Sequence, residues 1–72
     1  MAKKYYDNQH VSKALDAYII KYYAGRTAVM ARAEGVDESY LGKMRRGKDA
    51  VHSKLLPLLG YRRESNGMHV KA

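Results

Sequence analysis

The sequence contains no cysteine, no tryptophan and no phenylalanine, and it has a single proline. Without cysteine, neither a disulfide nor a thiolate metal site can staple the fold, and the absence fits a reducing cytoplasm. No apolar run approaches the ~20 residues needed to span a bilayer; stretches such as Tyr18-Ile19-Ile20 stop far short. The start, Met1-Ala2-Lys3-Lys4-Tyr5-Tyr6, has basic residues but no apolar stretch behind them, so it does not read as a signal peptide. Repeats, low-complexity tracts and linkers are absent. His10, His52 and His69 lie far apart, and none stands at metal-ligand spacing from another histidine or acid. There is no glycine-rich phosphate loop and no nucleophile elbow. These gaps argue against an enzyme, and no cofactor, small-molecule ligand or membrane partner is expected.

Acids are scarce as well: seven Asp and Glu face fourteen Lys and Arg, a formal charge of +7. That excess favours a polyanionic partner, because each cation set against a phosphate backbone releases a condensed counterion. The 72 residues fit one domain. A domain of this size buries only roughly 60% of the surface its unfolded chain exposes, so oligomerisation is the remaining route to extra stability.

The apolar pattern is helical. Val11, Ala14, Leu15, Tyr18, Ile19 and Tyr22 recur on one face, which predicts a helix over about residues 9–24, capped by Asp7 or Asn8 and ended by Gly25. Of the other tyrosines, Tyr5, Tyr6 and Tyr23 are expected at the surface. Thr27 is placed to cap a second, alanine-rich helix over 28–34 that Gly35 ends. Asp37 is a strong cap for a third over 38–46, ended by Gly47, with Glu38 in its first turn and Lys43, Arg45 and Arg46 suiting the other end. Ser53 to Leu59 reads as a short fourth helix with Leu55, Leu56, Leu58 and Leu59 facing the core; Pro57 shortens it or delays its start. Asn66-Gly67 is a strong hairpin signal because both residues accept positive φ. Tyr61, Arg63, Met68 and Val70 would then form two short strands; the other reading of 61–72 is a frayed basic tail.

The informative stretch is Thr27 to Gly47. Two short helices joined by a tight turn need a small residue where they cross, a glycine at the turn, and apolar residues that pin the second helix. Ala31, Gly35, and the trio Val36, Leu41 and Met44 supply these. In the order Thr27, Met30, Ala31, Gly35, Val36, Leu41 and Met44, with Arg46-Gly47-Lys48 behind them, the stretch resembles the helix-turn-helix of the Cro and phage-repressor family. One departure stands out: Glu34 sits where the family usually buries a leucine, so it either points to solvent or pairs with an Arg or Lys.

The resemblance implies a mainly α domain of four to five helices, with a short C-terminal β-hairpin or strand, whose third helix enters the major groove of duplex DNA. It makes Glu38, Ser39, Gly42, Lys43 and Arg46 the base readers, with Asp37 at their head acting chiefly as the cap. Glu38 can accept from cytosine N4, Lys43 can donate to guanine O6 or N7, and Ser39 can bond a base or a phosphate. Gly42 is a poor helix residue that would permit close approach to DNA. Arg26, Thr27, Tyr40, Arg45, Lys48 and His52 would anchor the phosphate backbone, although packing against the second helix is the favoured reading for Tyr40, whose other reading is a contact with a sugar-phosphate or a thymine methyl. A homodimer on a two-fold operator is expected, joined by the C-terminal hairpin or by the Leu55–Leu59 helix. The expected role is a transcriptional regulator, chiefly a repressor, of phage or prophage type, working on the nucleoid in bacterial cytoplasm. The alternatives are an accessory DNA-binding factor, such as an excision factor or antitoxin, and a protein-interaction module that kept the fold. RNA binding is weaker, since no RNA-binding signature is present.

Overall fold

The computed structural model describes residues 4–72. Four helices, α1 (Asn8–Tyr23), α2 (Thr27–Glu34), α3 (Glu38–Arg45) and α4 (Leu56–Leu59), precede a hairpin of β1 (Tyr61–Arg63) and β2 (His69–Lys71). The fold is mainly α, with a single two-stranded antiparallel sheet among the described residues. None of its helices is long and apolar enough to cross a membrane.

α1 starts where the Asp7 carboxylate accepts from the His10 N–H at 2.9 Å, which satisfies one of the donors a helix start leaves unpaired. Val11, Leu15 and Ile19 are fully buried along it. Tyr22, expected in this stripe, is 58% exposed. Successive four-residue steps carry the buried row from Ile19 to Tyr23 instead, and Tyr23, expected at the surface, packs against the core with Tyr18 and Tyr6. Tyr5 is exposed. The left-handed cap is Ala24, at φ 53°, one residue before the expected Gly25.

α2 begins at Thr27 itself, and its N-cap is Arg26, whose side chain makes no capping bond. Gly35 ends the helix at φ 68°, a conformation that costs a residue with a Cβ roughly 1 kcal/mol or more. The turn lets the Val36 N–H donate back to the Ala31 carbonyl at 2.9 Å. Asp37 caps α3 by accepting from the Tyr40 N–H at 3.0 Å, and the helix stops at Arg45, one residue short of expectation. Glu34 is half-buried. Lys54 Nζ reaches its main-chain carbonyl, at 2.6 Å.

The chain then loops back to the start of α1. Asn8 ties that loop down, donating to the Asp49 carbonyl at 3.3 Å and accepting from the Val51 N–H at 3.2 Å. α4 is a single turn with Pro57 at its beginning, where the missing N–H has no helical partner to lose. One turn cannot aim four leucines the same way. Leu55 and Leu56 are buried and Leu59 packs at the margin, but Leu58 is 39% exposed.

The hairpin pairs Tyr61 with Lys71, Arg62 with Val70 and Arg63 with His69. Its connection differs from the one Asn66-Gly67 suggests. Asn66 keeps a negative φ; only Gly67, at 82°, is positive. Glu64 accepts from the Gly67 N–H at 3.0 Å and donates to the Met68 carbonyl at 2.8 Å, the pattern of a type I turn followed by a left-handed glycine. The Asn66 side chain accepts from the Met68 N–H at 2.9 Å. On its far side β2 bridges to Tyr6, so β1 carries the outer edge.

The core is one cluster built from every helix and β1, in which Val11, Leu15, Ile19, Met30, Leu41, Met44, Val51 and Leu55 are fully buried. α3 packs on both α1 and α2, and this sets the orientation of its outer face.

Candidate functional site

A helix turns 100° per residue, so α3 has an inner face through Leu41, Met44 and Arg45 and an outer face through Glu38, Ser39, Gly42, Lys43 and, just beyond its end, Arg46. Leu41 and Met44 are fully buried. The outer set, together with Thr27 at the start of α2, lines one open concavity. All the residues expected to read bases therefore stand together, on one side of one helix. Glu38, Ser39, Lys43 and Arg46 are exposed, and among the described residues none of the charged ones is in an ion pair. Asp37 is used as the cap.

Gly42 is the exception to the expectation of open space. The Arg46 guanidinium lies across it, and a Cβ at position 42 would stand 3.2 Å from Arg46 Nη1. The glycine is a seat for that arginine, and the room it creates is filled from within the protein.

Arg45 departs further from expectation. Its Nε donates to Asp16 Oδ1 at 2.5 Å, and its Nη1 donates to the Gly25 carbonyl at 2.8 Å and to Thr27 Oγ1 at 3.0 Å. These bonds lock α3 onto the end of α1 and the start of α2, so Arg45 leaves the set of backbone-anchoring residues. Thr27 keeps its place at the rim of the concavity, but its hydroxyl is an acceptor in this clamp and not the helix cap.

No family model, curated protein or solved structure matches the chain.

The remaining expected anchors divide between two flanks of α3. Arg26 and Thr27 lie on the flank nearest α2, where the first-turn N–H groups have no helical acceptor. On the other flank the Tyr40 ring meets His52 edge-on, with centroids 6.5 Å apart. His52 Nδ1 accepts from the Lys54 N–H at 3.0 Å, and the His52 N–H is directed at Met44 Sδ. The Tyr40 ring thus meets the loop after α3. Lys48 is exposed just past the end of α3, its N–H bonded to the Lys43 carbonyl at 2.9 Å.

Among the described residues no group of three His, Cys, Asp or Glu side chains is arranged to hold a metal ion. Burial, then Tyr23, Glu34 and Tyr22, raise the Tyr18 phenol above its ordinary range. It remains a neutral hydroxyl near pH 7 and lies outside the concavity. Two elements of the site had no signature in the sequence: the Arg45 clamp and the Asn8 tie. Their partners are 18 to 43 residues away, beyond the reach of any local pattern.

Proposed function

We propose that the chain is a sequence-specific binder of double-stranded DNA, a transcriptional regulator of the Cro and phage-repressor kind whose α3 enters the major groove. One observation carries the reading: α3 is packed into the core by its inner face while Glu38, Ser39, Lys43 and Arg46 stay exposed on the outer one, with Gly42 beneath the Arg46 guanidinium. In the groove Lys43 and Arg46 donate to guanine O6 and N7, Glu38 accepts from cytosine N4, and Ser39 bonds a base or a phosphate. Arg26, Thr27, Tyr40, Lys48 and His52 set register on the phosphates. The +7 charge supplies the non-specific attraction. One copy reads few base pairs, so the protein acts as a homodimer on a two-fold operator with half-sites about 34 Å apart. The place of action is the nucleoid of a bacterial host.

Selection of bound duplexes from a random pool, followed by titration of the selected site, tests this. The expected result is a symmetric consensus. Lys43→Ala should weaken binding to it by about 1–3 kcal/mol while changing binding to random duplex little. Equal losses on both would make Lys43 a phosphate contact, and a pool without enrichment would sink the reading.

A further inference from the structure

A second cationic surface lies at the hairpin, outside the α3 concavity. Tyr6 anchors it. Its N–H donates to the His69 carbonyl at 2.8 Å, and the His69 N–H donates back at 2.9 Å. The Tyr6 ring stands edge-on to Tyr61, with centroids 5.4 Å apart, and 4.5 Å from the His10 ring. It is therefore a fixed platform, not a loose surface aromatic. Two ammonium groups are collected on this ring: Lys4 Nζ lies 5.4 Å from the centroid and Lys71 Nζ 5.8 Å. Lys4, Tyr6, Arg62, Val70 and Lys71 line one groove. No acid is among them. Arg62 Nη2 is 3.4 Å from Glu64 Oε1, a long contact exposed on the arginine side and half-buried on the glutamate side, which screening at the arginine weakens.

We infer that this groove binds the phosphodiester backbone of duplex DNA, as a contact separate from α3. The inference rests on the DNA-binding reading and extends it to a surface that the motif does not include. Three cations along one groove, two of them on one ring, repel one another, and exposed cation–π contacts return only about 0.5–1 kcal/mol each. A run of phosphates removes that repulsion and releases counterions. A second copy of this chain is a poor occupant. A two-fold contact sets a patch against itself, which would bring Lys4, Arg62 and Lys71 of both copies together. The apolar floor, Tyr6 and Val70, suits the sugar face of a backbone strand.

The test compares the wild type, the triple variant Lys4→Ala/Arg62→Ala/Lys71→Ala and the double variant Lys43→Ala/Arg46→Ala. Binding to a selected duplex and to a random one is measured from low to moderate salt, with sedimentation velocity run on each protein. None of the three patch side chains is buried, so thermal unfolding should be unchanged. The triple variant should bind both duplexes more weakly by a similar factor, and its log K against log[salt] line should be shallower by about two to three units. The double variant should instead lose discrimination between the duplexes. An unchanged salt slope in the triple variant, beside lost discrimination in the double, overturns the inference and leaves the function standing. A change of sedimenting mass with an unchanged slope overturns it in favour of a contact between copies. If wild type fails to bind any duplex, both readings fall.

Discussion

The two faces of α3 share eight helical residues and opposite fates. On the inner face, Leu41 and Met44 are fully buried and Arg45 is bonded to three acceptors from other elements. On the outer face, Glu38, Ser39, Lys43 and Arg46 touch nothing that would hold them in an ion pair among the described residues. The contrast is sharpest at Arg45 and Arg46. They are adjacent and chemically identical, yet 100° of helical rotation makes one a structural clamp and the other a free guanidinium at a groove. Residue type decides what an arginine can bind; its angular position decides whether acceptors of its own fold lie within reach.

The largest effect should come from the inner face. Met44→Ala removes a fully buried side chain beneath the helix and should destabilise the fold by about 2–5 kcal/mol, read from the urea midpoint. A domain this small has little stability to lose, so DNA binding should disappear with folding and return in part under stabilising osmolyte. If the variant stayed folded and still lost binding, Met44 would be more than a core residue.

Next in size is the pair of arginines, which breaks or sharpens the comparison directly. Arg45→Ala leaves Asp16, half-exposed, without its partner and frees the Gly25 carbonyl and Thr27 hydroxyl. The expected loss of stability is about 1–2 kcal/mol, with an unchanged salt slope for DNA. Arg46→Ala should leave stability within about 0.5 kcal/mol and weaken binding to the selected duplex by about 1–3 kcal/mol. Denaturation and titration of both variants check this, and reversed results would mean that the helix is read in the wrong rotation.

What the sequence could reveal follows the same line. The outer set recurs with helical spacing, so periodicity alone brings Glu38, Ser39, Gly42, Lys43 and Arg46 to one side. Asp37, Gly35 and Pro57 act on neighbours within a turn, and their roles are local chemistry. Arg45, Asn8 and Tyr6 act on partners 18 to 63 residues away, and nothing near them records it. Tyr22 and Leu58 look like core residues by period. Tyr22 is turned outward beside Tyr18 and Lys21, and Leu58 sits on a turn too short to aim every leucine inward. Asn66-Gly67 marks the hairpin correctly, but the turn type depends on the register of strands that the dipeptide does not encode.

The smallest expected effect is also the most discriminating, because it separates the two faces within one substitution. Gly42→Ala should favour the helix by up to about 1 kcal/mol, since glycine is the poorer helix former by that amount. The new Cβ would meet only the end of a flexible side chain, Arg46 Nη1 at 3.2 Å, so the guanidinium can shift at little cost to folding. That shift moves the group proposed to reach the bases. The unfolding midpoint should therefore rise while affinity for the selected duplex falls, with random duplex bound as before. A rise in both stability and specific affinity would show that the seat under Arg46 has no part in recognition, and the outer face would then reduce to Glu38, Ser39 and Lys43.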